Sequence, residues 1–379
     1  MKVCLINNFP PYSGAGRNAY ALWMMFKKID KVKADLFCTH VIKKGELGWV
    51  ENKGVNFLQK FAYFDHPNIS RFLIYFVDRF RLPKGYDVYH ITNQMLGFLV
   101  DYYRPNVVTL FDVLQFKYHD KLGNKFLDGI YGRLIRMSIL RLKKADAVIC
   151  VSEYTKCEAI KILSVDPKKI SVVYSGVNHE IFKPYPKNRA RDELKLAKSK
   201  KIVLHVGNEL ARKNVLGVVE ALAILKKKYD LDDEVVLIRL GNKTSEIGNM
   251  LKKHRLNNKV IYRESFSEKE VAKYYSAADV MFFPSFEEGF GLPLVESMAC
   301  GCPVITSNCG AMKEVVKDAA VLVDPNDTNQ MAEELNKILN LKGEKRREMI
   351  KKSIKRAKCF SWQRFAEQTL EVYKKVVGN

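Results

Sequence analysis

The chain has 379 residues, 47% apolar and 28% charged, which suits about two globular domains and excludes a disordered tail, a collagen or a small disulfide scaffold. Lys and Arg number 64 against 42 Asp and Glu, a formal net charge of +22 that favours nucleotide phosphates, anionic lipid heads or nucleic acid without choosing among them. The eight cysteines form no C-x-x-C pair and several sit in apolar runs, as small buried hydrophobes do in a reducing cytosol. The first apolar run reads as too short for a secretory leader, and no run of about 18 apolar residues offers a membrane span.

KVCLINN reads as a buried strand and GRNAYALWMMFKKI as a helix with one apolar face. Between them, Gly14 and Gly16 either let the backbone reach a donor phosphate or an acceptor, or simply turn the chain; Arg17 is an anion contact or part of the helix's exposed face. RFLIYFVDRFRL is a short basic, apolar stretch, the lesser of two candidates for a face lying on an anionic bilayer. DVYHIT and NVVTLFD read as strands, and His90, ending the first, is a candidate proton acceptor whose alternative is a hydrogen-bonded structural histidine. KYHDKLGNKFLDGIYGRLIRMSILRLKK sets Phe126, Ile130, Leu134, Met137 and Leu140 along one helical stripe. It is either a basic amphipathic face for an anionic bilayer or a core-facing helix with a solvated basic side. ADAVICVS and ISVVYSG complete the first series of strands.

KPYPKNRARDELKLAKSKK is polar, carries Pro184 and Pro186, and reads as a domain connection with a short helix. The alternation then restarts with KIVLHVG, a helix in GVVEALAILKKKY, and the strands EVVLIRLG, KVIYRES, DVMFFPS, PVITS and AVLVD; WQRFAEQTLEVYKKVV ends the chain with helical spacing. Two doubly wound parallel sheets of α/β class follow from this order. Ligands bind beyond the carboxyl ends of such strands, and two such sheets facing each other would make a cleft.

Two segments follow strand ends in that way. In DVMFFPSFEEGFGLPLVESMACGCPVITS a strand leads into a loop with Glu287, Glu288, Gly289, Phe290 and Gly291, then a helix with Pro293 in its first turn, Glu296 inside and Gly301 at its stop. Backbone N–H groups at such a helix start attract phosphate oxygens, and the glycines admit a ligand close to the backbone. Glutamates beside them suit sugar hydroxyls, one carboxylate for a transferred sugar and the other for a ribose; the alternative is that both are solvated or cap the helix. In KIVLHVGNELARKNVLGVVEAL, Gly207 turns the chain, and Arg212 and Lys213 precede a helix near Asn214. Two cations there would clamp a diphosphate and stabilise the charge that develops as it leaves, unless they are a solvated pair.

The run from DVMFFPS to PVITS resembles the signature of the retaining family 4 glycosyltransferases of GT-B fold (glycosyl transferases group 1). That resemblance implies two Rossmann-like doubly wound parallel-sheet domains facing a central cleft: residues 1–185 for the acceptor, 186–358 for the nucleotide sugar, and a C-terminal helix over 359–379 packing back on the first domain. It assigns the transferred sugar to Glu288, the nucleotide ribose to Glu296, and backbone contacts with sugar and diphosphate to Gly289, Phe290, Gly291 and Leu292. Gly207 and Lys213 match a family glycine and lysine; Asn208 stands where many members have arginine, with Arg212 as its compensation. Gly14 and Gly16 resemble the N-terminal glycine loop of the donor site. In TLFD, Phe111 occupies a frequent histidine position while Asp112 is retained. No base can be carried onto Phe111, so the catalytic candidates are Glu288, His90 as a partial replacement and Asp112 as a positioner of the acceptor hydroxyl, with the leaving phosphate oxygen itself able to take the proton. Ser152 and Thr155 of VSEYT, Ser175, Glu314 and the run SFSEKEVAKYYSAADV also match, and Arg239 to Gly241 would lie near the nucleotide base. The resemblance is clear over about residues 140–330 and looser over the first 130.

The expectation is therefore metal-independent retaining transfer of a hexose from a GDP-, UDP- or ADP-sugar to a glycan or lipid-linked acceptor, in glycan, polysaccharide or glycolipid assembly. The resemblance implies no metal or other cofactor, and no D-x-D between apolar runs, H-E-x-x-H or Cys/His ligand spacing occurs; no nucleic-acid motif is found. A cytoplasmic location, peripheral on an anionic inner membrane face, goes with it. Two other functions compete: a GT-B nucleotide-sugar epimerase, and a basic nucleic-acid-binding protein.

Overall fold

The computed structural model describes residues 1–10, 13–38, 56–57, 82–117, 127–208, 210–229, 234–264 and 267–378. The chain divides into two compact units, one of Met1–Gly176 with Trp362–Asn379 and one of Val177–Ser361.

In the first unit β1 (Lys2–Asn7), β2 (Lys33–Cys38), β3 (Asn56–Phe57), β4 (Val88–Ile91), β5 (Asn106–Leu110), β6 (Ala147–Cys150) and β7 (Ile170–Val172) form a seven-stranded parallel sheet in the order β3-β2-β1-β4-β5-β6-β7. Both faces are covered, so the strands read as continuous apolar runs. Val3 and Leu5 of β1 enter the core beneath α1 (Gly14–Phe26) and the C-terminal helix (Trp362–Gly378), beside Trp23, Phe26, Phe365 and Tyr373. Cys4 and Ile6 alternate to the opposite core with Leu96, Leu99, Ile135 and Ile139. Ser13 caps α1 by accepting from the Gly16 amide at 3.0 Å. The loop folds so closely over this helix end that a Cβ on Gly16 would lie 1.8 Å from the Pro10 carbonyl oxygen.

After α2 (Leu114–Lys117), α3 (Leu127–Leu140) turns Ile135, Ser138 and Ile139 into the core. Leu134 is half-buried, while Met137 and Leu140 are 55% and 39% exposed, beside exposed Arg133. The described part of the apolar stripe therefore does not face the core: the helix carries two apolar rows, and the sheet takes the other one. Phe126, the Ile130 side chain and residues 71–81 of RFLIYFVDRFRL lie outside the description. α4 (Glu153–Leu163) starts at Ser152, whose Oγ accepts from the Thr155 amide at 3.0 Å.

The crossover at Gly176–Val177 comes ahead of 185, and Phe182 packs on Tyr275 of the second unit at a ring separation of 6.2 Å. The polar connection forms α5 (Lys187–Glu193), and its buried Arg191 donates to Asp279 at 2.8 Å and to the carbonyls of Ala277, Lys198 and Lys200.

The second unit holds β8 (Lys201–Val206), α6 (Val215–Tyr229), β9 (Val235–Leu240), α7 (Ser245–Lys253), β10 (Val260–Arg263), α8 (Glu268–Ala277), β11 (Val280–Phe283), α9 (Leu292–Ala299), β12 (Val304–Ser307), α10 (Gly310–Val316), β13 (Val321–Val323), α11 (Thr328–Asn340) and α12 (Gly343–Ala357). Its six parallel strands run in the order β10-β9-β8-β11-β12-β13. The order reverses between β8 and β11, which opens a crevice at their carboxyl ends. No helix among the described residues is long and apolar enough to cross a membrane.

Candidate functional site

The two segments that follow β8 and β11 meet at this crevice. Gly207 turns the chain after β8, and a single 3-10 turn, Ala211–Lys213, delivers Arg212 and Lys213. Asn214 follows in the left-handed region at φ 54°, a conformation asparagine tolerates. Its Nδ2 donates to the Pro284 carbonyl at 3.1 Å and to the Pro325 carbonyl at 2.7 Å. The Phe286 amide donates to the Arg212 carbonyl at 2.7 Å. The two loops are thus one hydrogen-bonded structure.

Glu288 is the centre of it. Its Oε1 lies 2.5 Å from Lys213 Nζ and its Oε2 lies 2.8 Å from Arg212 Nη1, and Arg212 also reaches the Glu287 carbonyl at 3.3 Å. Burial alone would raise the Glu288 carboxyl, but the charges of Lys213 and Arg212 outweigh it and hold the group below its ordinary value. Burial lowers the Lys213 ammonium, with Glu288 pulling the other way. Its Nζ also stands 4.7 Å from the centre of the Phe283 ring. Two cations against one carboxylate leave this cluster with an excess positive charge, which suits an anionic ligand.

The Glu288 backbone is fixed as well, because its carbonyl accepts from the Ala311 amide at 3.2 Å. Gly289 and Phe290 are buried, and the Phe290 ring meets Phe360 edge-on at 5.5 Å. Gly291 caps α9 at φ 90°, which favours glycine, and Leu292 and Pro293 open the helix. Glu296, one helical segment further, is 2% exposed and accepts from the Tyr275 hydroxyl at 3.0 Å. The fold thus brings Arg212, Lys213 and Glu288 into contact beyond β8 and β11, while Gly207, Gly289, Phe290, Gly291, Leu292 and Glu296 lie on the segments that carry them. Sequence reasoning missed Asn214, taken only as a helix start, and Tyr275. It also placed Arg239 near a base, whereas its side chain is fully buried in the sheet with Nη2 donating to the Gly207 carbonyl at 3.1 Å.

The remaining candidates lie in the first unit. Gly14 and Gly16 open α1 beyond β1, but the Gly16 amide is taken by Ser13. Asp112 follows β5, and its Oδ1 accepts from the Leu114 amide at 3.2 Å, a cap for α2. His90 is corrected. It is 1% exposed, Nδ1 bonds the Tyr373 hydroxyl and Nε2 the Thr109 hydroxyl at 2.8 Å. Burial pushes its imidazolium down to about 3, so a proton taken up near neutral pH would be lost at once. The ring fills the core beneath the C-terminal helix, as in the alternative reading of a hydrogen-bonded structural histidine. Ser175 donates to Asn18 at 2.8 Å, and Glu314 offers its carbonyl to Arg356. No group of three or more His, Cys, Asp or Glu that could hold a metal occurs among the described residues.

The model described as glycosyl transferases group 1 matches residues 186–356, and that described as glycosyltransferase family 4 matches residues 50–181. O-antigen chain mannosyltransferase B of Escherichia coli is 26% identical over 239 residues, 62% of this chain and 61% of that protein. The D-inositol 3-phosphate glycosyltransferase of Paenarthrobacter aurescens is 29% identical over 232 residues, 59% of this chain and 57% of that protein. This chain spans about three fifths of the length of such curated relatives. Among solved structures, sucrose-phosphate synthase from Thermosynechococcus elongatus superposes with a TM-score of 0.80 at 21% identity, covering 100% of this chain and 99% of that one. Anabaena Alr3699/HepE in complex with UDP and glucose gives 0.77 at 17% identity, covering 98% of each. At these identities the superpositions speak for the fold, which is GT-B.

Proposed function

This chain belongs to the group 1 and family 4 glycosyltransferases, and from that premise we propose that it moves a hexose from a nucleotide-diphosphate sugar to an acceptor hydroxyl with retention of anomeric configuration. The observation that carries this reading is the buried Arg212–Lys213–Glu288 cluster at the point where the strand order reverses. A diphosphate entering there competes with the carboxylate for the two cations. It binds because the cluster carries spare positive charge, and it frees Glu288 to take a sugar hydroxyl. The amides around Gly289 to Leu292 lie at the start of α9, where phosphate oxygens are favoured, and Glu296 suits the ribose. As the glycosidic bond breaks, Arg212 and Lys213 meet the charge that develops on the leaving diphosphate, so in this reading no divalent ion is needed. With His90 enclosed and Phe111 without a basic atom, the leaving phosphate oxygen takes the acceptor proton and Asp112 orients the acceptor.

The first unit would bind a glycan or lipid-linked acceptor. Exposed Met137 and Leu140 beside Arg133 support a cytoplasmic protein lying on an anionic membrane face. The test of the donor reading is a melting screen with UDP-, GDP- and ADP-hexoses, followed by proton NMR of the product's anomeric coupling. One donor present at about 100 times its Kd should add about 2.7 kcal/mol to the native state. No shift with any of them defeats the donor site, an inverted product defeats retention, and a C-2 epimer formed from donor alone assigns an epimerase instead.

A further inference from the structure

Beneath Lys213 lie two buried polar side chains that the donor site does not use. His205 of β8 and Arg239 of β9 are direct neighbours in the sheet register, and both are fully buried. Arg239 Nη1 bonds Nδ1 of His205, Arg239 Nη2 donates to the Gly207 carbonyl at 3.1 Å, and Nε2 of His205 faces the Lys213 carbonyl at 3.4 Å. A guanidinium has only donors, so Nδ1 must accept, and the ring is neutral with its proton on Nε2. That is the nitrogen turned toward a carbonyl acceptor, so both ends of the imidazole demand the same tautomer. Burial, with the charges of Arg239 and Lys213 behind it, holds the imidazolium well below its ordinary value and keeps the ring in that state.

A parallel sheet is satisfied by apolar pairs at such positions, and a guanidinium between strands is costly to desolvate. What it gains here is two bonds aimed at the floor of the crevice. The Lys213 side chain runs over the same floor: a Cβ on Gly207 would lie 3.5 Å from Lys213 Cε, and the chain ends on Glu288.

Resting on the donor reading above, we propose that Arg239 and His205 are positioning residues, a buried relay that fixes the Gly207 turn and the Lys213 main chain and so sets where the lysine ammonium meets a diphosphate. The relay acts through Lys213 and touches no substrate. Its two bonds can be separated by substitution. In His205→Asn the amide oxygen replaces Nδ1 and keeps the Arg239 bond only. In His205→Gln the amide nitrogen comes near the place of Nε2 and restores a donor to Lys213, while His205→Phe removes both.

The experiment measures calorimetric affinity of the full chain for UDP, GDP and ADP, with the free nucleosides as controls and melting temperature as the check on folding. Diphosphate affinity should fall about tenfold in His205→Phe and recover in His205→Gln, with nucleoside affinity unmoved. If His205→Phe does not fold, Asn against Gln makes the same comparison. Equal diphosphate affinity in the wild type and the substituted proteins overturns the proposal. A carbon NMR titration of the Lys213 side chain, run without nucleotide, separates the two readings. If the wild type binds none of the diphosphates, the donor reading has failed, and the titration alone decides: a Lys213 transition displaced in His205→Phe and restored in His205→Gln sustains the relay, and an undisplaced one removes it.

Discussion

Replacing Glu288 by glutamine keeps the shape of the side chain and deletes its charge, leaving Arg212 and Lys213 to face one another inside the second unit. Breaking a buried pair by removing one partner costs about 3–5 kcal/mol. The Arg212 side chain is 20% exposed and the new amide oxygen can still accept one bond, so the low end applies, about 3 kcal/mol. For a unit of this size each kcal/mol moves the melting temperature by about 2–4 °C, which gives a fall of about 6–12 °C. Calorimetric melting of wild type and Glu288→Gln at pH 7 reads it directly. The pH dependence adds a second check with a definite sign. The folded carboxyl lies below its ordinary value of 4.5, so its contribution is present above that pH and disappears as pH falls from there through the lowered folded value. The gap between the two proteins must therefore narrow on acidification below about 4.5. Melting temperatures within a degree of each other at pH 7, or a gap that persists into acid, would refute the assignment of Glu288 as the counter-charge of both cations. Transfer should be lost in the same variant at temperatures where it remains folded.

His90→Phe should leave the transfer rate unchanged in a nucleotide-release assay. It should cost about 1–3 kcal/mol for the orphaned Tyr373 and Thr109 hydroxyls in urea unfolding. In the wild type the unfolded imidazole protonates as pH falls through 6.5 while the folded one resists to about 3, so His90 lowers stability across that window, and the variant should show a shallower drop, with the contribution of buried His205 remaining. Asp279→Asn breaks a half-buried carboxylate held by Arg191, Lys187 and the Ile202 amide, and should destabilise by about 3 kcal/mol, the low end for such a pair, while nucleoside diphosphate affinity stays constant. Vesicle flotation should recover the wild type on anionic but not on neutral lipid, and Met137→Glu with Leu140→Glu should abolish recovery; binding indifferent to lipid charge would end the membrane reading.

What the sequence could reveal follows from how local the cause is. Most strands of both sheets were legible because parallel strands covered on two faces carry apolar runs, as in VMFF, whereas β2 was not read because Lys33 and Asp35 break the run in KADLFC. The β11–α9 loop was legible because Gly291 and Pro293 answer local backbone demands, and Lys213 because it follows a strand by a fixed short turn. His90 was not, since its partner Tyr373 lies 283 residues away and nothing near DVYHIT announces it. At α3 the sequence left two readings of its apolar stripe open for a different reason. Met137 and Leu140 form as good an apolar row as Ile135 and Ile139, and periodicity cannot tell which row the sheet will take. Arg239 was placed near the nucleotide base by resemblance, and only the register opposite His205 shows why an arginine can stand in the sheet.

The same cluster explains why a sequence lacking the usual histidine can still be read as a transferase. If the leaving phosphate oxygen is to accept the acceptor's proton, the cations that hold it must stabilise its charge without removing its basicity. Two cations alone, buried, would bind a diphosphate tightly and leave it a poor base. Glu288, held ionised by both within 2.8 Å, offsets one of the two charges in the empty site, and on the proposal above it stays beside them, unpaired but still negative, when it turns to the sugar. A carboxylate that ion-pairs with the empty site and turns to the sugar in the filled one therefore has two uses, and the second depends on Phe111 contributing no base of its own. On this argument restoring an imidazole by Phe111→His should matter little while Glu288 is intact, because the proton already has a destination.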